Sequence, residues 1–202
     1  MGWLDTFSET FSKALSLVTA LVMPELLIVV KLITVVLEKL GLIDAKDNPE
    51  EMGDKMLQAE EQGITPENFD NYDDYYKAIR EFELSPEKSA NFTEREKLDK
   101  YSATGLAQIQ DVLGDGAISF FTEVATKLSP EFRDNSEKVQ SYLDSFKGNI
   151  DKLNSYFDGS LSNHAGSQVE KQIVSIEKQF SSEKSNDEIL TKLEKERDAF
   201  KA

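Results

Sequence analysis

The sequence predicts an all-α protein, a multi-helix bundle that begins with an apolar pair of helices. Three observations support this fold class. All five prolines are followed by glutamate, glycines follow the ends of several apolar periodic segments, and no segment alternates apolar with polar residues as a half-buried strand does. Signals for helix starts and helix ends therefore occur along most of the chain.

Helix starts are marked by polar residues in front of proline. Four of the five Pro-Glu pairs follow a residue type that caps helices: Asn48, Thr65, Ser85 and Ser129. Such side chains accept hydrogen bonds from free backbone N–H groups, proline at the first helical position sacrifices no hydrogen bond, and glutamate lies near the positive end of the helix dipole. Together with the apolar periodicity, these signals predict helices near residues 3–22, 24–40, 49–62, 71–83, 93–113, 117–128, 130–157, 167–183 and 186–201.

The first two predicted helices are the most apolar part of the chain. One face of the first helix carries Trp3, Phe7, Phe11, Ala14, Val18 and Leu21. In the second helix, Lys31, Thr34 and Glu38 are spaced three and four residues apart and form one narrow polar stripe. The remaining positions are mostly apolar, so we expect the second helix to be covered on nearly all sides.

The apolar side chains of these two helices need a covering surface. Burying one Leu, Ile or Val is worth about 1.5–3 kcal/mol, so leaving this segment in water would cause aggregation. We consider three hosts, in this order: another protein surface, including copies of the chain; a membrane; and the chain's own core. The core ranks last because the polar helices after Asp44 show only narrow apolar stripes. The predicted interface or membrane residues are Trp3, Phe7, Phe11, Val18, Leu21, Leu26, Leu27, Val29, Val30, Leu32, Ile33, Val36 and Leu37.

A change in composition near Asp44 predicts how the chain is organised. The first 45 residues hold five acids and three lysines, whereas the remainder holds 33 acids and 20 basic residues. We expect an apolar helical pair at 1–44, an acidic helical body at 45–158, a polar turn or hinge at 159–166 and C-terminal helices at 167–202 that pack on the body. Heptad-spaced apolar residues in the predicted helix 130–157 fit either a bundle within the chain or a short coiled coil between chains, and we favour the intramolecular bundle as the simpler interpretation.

Composition and motifs disfavour several function classes. A formal charge of −15 over 202 residues repels nucleic acid, and the absence of cysteine excludes disulfides and thiolate chemistry. The chain contains no Gly-rich phosphate loop, no His-Glu-x-x-His and no nucleophile elbow. The only histidine, His164, lies in the predicted polar turn, where we expect a solvated side chain. We predict no enzyme activity and no cofactor.

One stretch carries a partial metal-binding pattern. Asp111 to Glu123 contains an Asp-Gly-x-Ile sequence between two predicted helices and resembles the calcium loop of EF-hand proteins. The resemblance implies that Asp111 and Asp115 supply carboxylate oxygens and Ala117 a backbone carbonyl. Thr122 stands where the pattern has a bidentate glutamate, and Glu123 comes one residue late. These four residues, Asp111, Asp115, Ala117 and Glu123, are a weak calcium candidate.

The same stretch has a simpler interpretation as a turn between helices. Gly114 or Gly116 would adopt a positive φ angle, and Asp115 would cap a helix that begins near Ala117. We prefer this interpretation. The tyrosine-rich segment 71–76 likewise has two interpretations, a recognition surface or aromatic side chains of an amphipathic helix, and we favour the second.

These features lead to three functional hypotheses. The first is a non-enzymatic structural or assembly protein that docks through its N-terminal helices into other subunits or copies of itself. The alternative is a membrane-active or membrane-anchored protein, such as a pore-former or holin, although residues 24–40 would rise only about 25 Å against a hydrocarbon core of about 30 Å. The third is a calcium-responsive helical module. A cytoplasmic location or a place in a larger assembly is favoured over membrane association.

Overall fold

The computed structural model describes residues 3–201, with side chains from Thr6 onward, so the side chain of Trp3 lies outside the described residues. Within this range the chain is 74% helical and contains twelve α-helices and no strands. The all-α fold class is therefore confirmed. Two compact units, Met1–Val112 and Leu113–Ala202, make up the chain. Residues on both sides of Asp44 belong to the first unit, so the change in composition there does not coincide with the division between units.

The first unit contains the helices α1 to α6 and one 3₁₀ turn. They are α1 (Trp3–Thr19), α2 (Met23–Lys39), α3 (Pro49–Glu61), the 3₁₀ turn (Pro66–Asn68), α4 (Tyr72–Glu81), α5 (Pro86–Ser89) and α6 (Glu94–Leu113), whose last residue begins the second unit. Two of the predicted caps are present, since Asn48 accepts a hydrogen bond from the backbone N–H of Glu51 at 3.0 Å and Ser85 one from that of Lys88 at 3.4 Å. Thr65 begins only the 3₁₀ turn.

Helix α6 is the centre of the first unit. Residues 101–109 are all buried, so this part of the helix is surrounded by protein on every side. Its small side chains allow α2 to approach closely: a Cβ atom added to Gly105 would lie 2.7 Å from Cγ2 of Ile33 and 3.2 Å from Cδ1 of Leu37. The hydroxyls of Thr34 and Tyr101 share a hydrogen bond of 2.8 Å at the same contact. Helix α2 therefore lies against α6 through its apolar face.

Helix α1 also packs within the first unit. The ring of Phe7 is buried and lies 6.0 Å from the ring of Tyr72, centroid to centroid. The ammonium group of Lys100 lies 4.7 Å above the centre of the Phe11 ring, a cation–π contact. The carbonyl of Val18 accepts a hydrogen bond from Arg95 at 2.8 Å. Side chains of α4 and α6 thus cover the apolar face of α1.

The second unit contains the helices α7 to α12. They are α7 (Ala117–Ser119), α8 (Pro130–Arg133), α9 (Ser136–Ser145), α10 (Ile150–Asp158), α11 (Asn163–Phe180) and α12 (Asn186–Asp198), with a π-helical turn at Phe120–Val124 and a 3₁₀ turn at Ala125–Lys127. Its core includes a buried ion pair, in which Lys138 and Glu177 are 2.8 Å apart and each side chain is 5% exposed. The hydroxyl of Tyr142 donates to the same carboxylate at 2.5 Å. Helices α9 and α11 are joined by this polar contact.

The prediction of one long helix at 130–157 was wrong. Asn135 caps a new helix by accepting a hydrogen bond from the N–H of Lys138, and the chain breaks again near Gly148, whose φ angle is +79°. The predicted apolar residues of this segment are nevertheless buried: Val139, Leu143, Phe146, Ile150, Leu153 and Phe157. Ser129 was a wrong cap prediction as well, because its side chain makes no capping hydrogen bond and its buried hydroxyl contacts no hydrogen-bonding group within the described chain.

The predicted polar turn at 159–166 is shorter than expected. Ser162 caps α11, accepting a hydrogen bond from the N–H of Ala165 at 3.3 Å, so the helix begins at Asn163. His164 therefore lies in the first turn of a helix rather than in a loop. Its side chain is exposed, as predicted.

Candidate functional site

Most of the predicted interface residues are buried inside the first unit. Nine of the thirteen are less than 9% exposed: Phe7, Val18, Leu26, Val29, Val30, Leu32, Ile33, Val36 and Leu37. Phe11 and Leu21 are half-buried, and Leu27 is exposed. The sequence argument that these helices need a partner surface or a membrane to cover them therefore does not hold, because α4 and α6 cover them.

The connection between α1 and α2 is the exception. Among the described residues, the large apolar side chains that are exposed are Val22, at 60%, and Leu27, at 49%. The adjacent Leu21 and Met23 are half-buried. We define these four residues, Leu21, Val22, Met23 and Leu27, as the tip patch. Exposed apolar side chains scattered singly are ordinary on protein surfaces, and these two lie within one segment of six residues, 22–27, at the start of α2.

Val22 occupies an unusual position in the tip patch. It is the N-cap residue of α2, in extended conformation (φ −73°, ψ 158°), and makes no side-chain capping hydrogen bond. Asn48, Asn71 and Ser162 at the same position of other helices each accept one from the backbone. A polar cap is worth about 1 kcal/mol relative to an apolar residue. The sequence therefore forgoes local stability at the position where its apolar side chain is most exposed.

The segment that contains the tip patch carries no formal net charge. Residues 6–41 contain three acids and three lysines: Glu9, Glu25, Glu38, Lys13, Lys31 and Lys39. The whole chain has a formal charge of −15, so the acidic excess lies outside this segment of the sequence.

The calcium candidate is not assembled into a metal site. In the described part of the chain, no three His, Cys, Asp or Glu side chains come close enough together to hold a metal ion. Asp111, Asp115 and Glu123 are exposed, and Ala117 is buried. The calcium prediction therefore lacks the cluster of carboxylates that it requires.

The stretch is instead a glycine turn, as preferred from the sequence. Gly114 and Gly116 have φ angles of +97° and +92°, and α7 begins at Ala117. Gly116 approaches the start of α10 so closely that an added Cβ would lie 2.5 Å from the carboxylate of Asp151. The predicted cap was wrong, because Gly116 and not Asp115 precedes the helix.

The buried carboxylate of Asp54 in the first unit is held by internal partners. Asp54 is 4% exposed and accepts hydrogen bonds from Gln58 at 2.9 Å and from Ser89 at 2.6 Å, with Lys97 at 3.6 Å. Gln58 also accepts a hydrogen bond from the backbone N–H of Ser85 at 2.9 Å. These contacts fasten α5 to α3. The network is structural, because each of these polar groups is used to hold one helix against another.

The tyrosines are buried rather than displayed on the surface. Burial raises the pKa of all six: Tyr72, Tyr75, Tyr76, Tyr101, Tyr142 and Tyr156. The three in segment 71–76 are less than 9% exposed, which confirms that the segment supplies core aromatics of α4. A carboxylate adds to the effect at Tyr142, where Glu177 further raises the pKa.

Sequence reasoning named Leu21 and Leu27 but missed Val22 and Met23. The other Pro-Glu helix starts carry Asn, Thr or Ser directly before proline, whereas Val22 stands two residues before Pro24. The pattern of those helix starts therefore did not mark Val22 as the N-cap residue. The sequence analysis correctly predicted that the buried residues of α2 are covered, but the surface that covers them belongs to the same chain.

Comparisons with known proteins add no identity to this picture. No model of a protein family matches the chain. Searches of curated protein sequences and of solved structures also give no match. In addition, none of the described helices combines the length and the apolar character needed to cross a membrane. Within the described residues, the tip patch contains the large apolar side chains that the fold leaves exposed.

Proposed function

We propose that this protein is a non-enzymatic assembly protein that docks through its tip patch onto other protein subunits, copies of itself included. The observation that carries the proposal is the exposure of two large apolar side chains at the start of α2, Val22 at 60% and Leu27 at 49%. Removing such side chains from water is favourable on contact with an apolar protein surface. The docking element is thus much smaller than the whole pair of helices predicted from sequence.

The size of the patch sets the strength of the contact. Stable interfaces bury about 800 Å² on each partner, whereas the tip patch consists of four side chains, two of them half-buried. We therefore expect a weak, reversible contact. The acidic remainder of the chain contributes by repulsion, because a formal charge of −15 opposes nonspecific association through any other face.

The proposal is tested by placing positive charges in the patch. We expect the wild-type protein to sediment with an average mass that rises with concentration, and the double variant Val22→Lys, Leu27→Lys to sediment as a monomer. A matched control places two lysines on exposed positions of α11, Ser175→Lys and Gln179→Lys, which change the net charge equally. This control should associate at least as well as wild type.

Three results would overturn the proposal. One is a wild-type protein that stays monomeric at every concentration, and another is association that persists unchanged in the double variant. The third comes from flotation with neutral phosphatidylcholine vesicles: if the wild type floats and the double variant does not, the patch inserts into lipid and the membrane hypothesis replaces assembly. Absence of flotation together with patch-dependent association supports the proposal.

A further inference from the structure

The second unit contains a small cavity that takes no part in the proposed function. It has a volume of about 180 Å³ and lies between the last turn of α10, the first turns of α11 and the last turn of α12. A water molecule occupies about 30 Å³ in the liquid, so the cavity has room for about six waters or for one small organic molecule in their place. Its lining includes Tyr156, Gly166, Glu170 and Arg197.

Arg197 brings to this cavity a positive charge that no acid of the described chain neutralises. Its Nε–H donates to the backbone carbonyl of Tyr156 at 2.9 Å, and its guanidinium group lies 4.6 Å above the centre of the Tyr156 ring. The arginines of the first unit differ, because Arg80 and Arg95 each pair with an aspartate, at 3.2 and 2.9 Å. The terminal amino groups of Arg197 are therefore held in place and available to a carboxylate, which a guanidinium binds through two parallel hydrogen bonds.

Glu170 brings a negative charge to the same cavity. One oxygen of its carboxylate accepts a hydrogen bond from the hydroxyl of Tyr156 at 2.9 Å. Glu170 and Arg197 form no salt bridge with each other, although both contact Tyr156: the carboxylate meets the hydroxyl, whereas the guanidinium lies over the ring. One tyrosine thus holds two opposite charges apart on the wall of one cavity, and a ligand that carries both charges would pair with each of them.

Gly166 leaves space beside the backbone of α11. With Asn163, Ser167 and Glu170 it occupies positions i, i+3, i+4 and i+7, one face of the helix, and all four residues line the cavity. A Cβ atom added to Gly166 would meet no atom within 4 Å, and its φ angle is not positive. Alanine would make a more stable helix here, and neither packing nor backbone conformation requires glycine. The missing side chain provides room for a ligand.

We propose that this cavity binds a small zwitterion, a molecule with a carboxylate at one end and an ammonium group at the other, such as a free amino acid. The carboxylate pairs with Arg197, and the first turn of α11, the positive end of the helix dipole, lines the same cavity. The ammonium group pairs with Glu170, and the short carbon chain lies beside Gly166. This site is independent of the tip patch, which belongs to the first unit.

A nuclear magnetic resonance titration of the full chain tests this site. The probes are glycine, β-alanine and 4-aminobutyrate, which differ in the distance between their charges, together with acetate and methylammonium, which carry one charge each. We expect saturable shifts of the Arg197 Nε–H signal and of the amides of residues 162–167. At least one zwitterion should bind about tenfold more tightly than acetate or methylammonium, because it makes both charged contacts.

Four variants assign the contacts. Arg197→Gln and Glu170→Gln should each weaken binding of the zwitterion by about tenfold, and Glu170→Gln should leave binding of acetate unchanged. Arg133→Gln is the matched control, because Arg133 donates to the backbone carbonyl of Leu128 and does not line the cavity. Gly166→Ala should abolish binding although it stabilises the fold, so this loss cannot be attributed to unfolding.

Selective binding of a zwitterion that Gly166→Ala removes supports the site. Three results overturn it: no saturable shift with any of the three zwitterions, acetate that binds as tightly as all of them, or binding that is unchanged in Gly166→Ala. None of these results bears on the tip patch, because its variants are tested by association and not by ligand binding.

Discussion

The uncapped start of α2 leads to a sharp prediction about stability. Replacing Val22 with Ser or with Ala removes the exposed apolar side chain in both cases, but only Ser can accept a hydrogen bond from the free N–H groups of the first turn. We therefore expect Val22→Ser to be more stable than Val22→Ala. Both variants should associate less than wild type, because both lose the apolar surface of the tip patch.

The magnitude follows from the cap and from the burial of the side chain. Ser at an N-cap is worth about 1 kcal/mol more than Ala, with a range of about 0.5–2 kcal/mol. Val22 is already 60% exposed, so its removal forfeits less than half of the about 1.5 kcal/mol that full burial provides. Val22→Ala should accordingly be slightly less stable than wild type, and Val22→Ser should equal or exceed it.

Urea unfolding followed by circular dichroism measures this difference. The samples must be dilute enough to be monomeric, because association itself adds apparent stability. Ser175, exposed in the interior of α11, provides the control: there Ser175→Ala should be neutral or stabilising, since Ala is the better helix former. If Val22→Ala is as stable as Val22→Ser, Val22 does not hold the N-cap position and the argument about the tip patch fails.

Three further predictions concern packing, buried charge and pH. Gly105→Ala should lower the free energy of unfolding by about 1–3 kcal/mol, because the new Cβ would lie 2.7 Å from Ile33. Gly166→Ala meets open space and should raise the free energy of unfolding by about 0.5–1 kcal/mol. Equal effects of the two variants in urea unfolding would contradict this packing. Lys138→Met should lower the free energy of unfolding by about 3–5 kcal/mol, because it leaves the buried carboxylate of Glu177 without its positive partner. The further change Glu177→Leu should recover much of this stability. A double variant that is no more stable than Lys138→Met would refute the ion pair. Burial raises the pKa of all six tyrosines, so the stability that they contribute is present below their ordinary pKa of about 10 and is lost as the pH rises above it. Tyrosinate absorption should accordingly grow together with the loss of helical circular dichroism, and tyrosinate formed in a protein whose helices are intact would be inconsistent with buried hydroxyls.

Local signals in the sequence predicted the helices well. The Asn48 and Ser85 caps are present, and the polar stripe on α2 was correct in part: Lys31 and Glu38 are exposed, whereas Thr34 is half-buried against Tyr101. These features depend on neighbouring residues along the chain, so they can be inferred from the sequence alone. The break near Gly148 escaped prediction because the apolar residues on both sides keep their spacing, and both sides are buried despite the interruption.

The main error of the sequence analysis concerned the surface that covers the N-terminal helices, and this error has a physical cause. The sequence analysis looked for large apolar side chains to cover α2 and found only narrow stripes. Helix α6 covers it differently, through Gly105, whose lack of a side chain lets the two helices approach closely. Small and polar side chains at residues 101–109 look like a solvated helix in sequence, and only the three-dimensional contacts reveal them as interior.

Only half of the tip patch was predicted from the sequence. Leu21 and Leu27 were named with eleven other residues because all thirteen are apolar, and periodicity does not tell which side of a covered helix is left open. Met23 separates Val22 from Pro24, so the cap pattern of the other helix starts did not mark Val22 either. In the folded chain, the exposure of the side chains distinguishes the four-residue tip patch from the core residues around it.

Hydrogen–deuterium exchange of the wild-type protein over a concentration series tests the central claim most directly. The account predicts that amides of α2 from Leu26 to Leu37 are strongly protected even in the dilute monomer, since these side chains are buried in the protein's own first unit. Amides of the tip, from Ala20 to Glu25, should gain protection only as the concentration rises. Rapid exchange throughout α2 in the dilute monomer, with protection appearing only in the associated protein, would contradict the account and return the whole helical pair to the role of an interface.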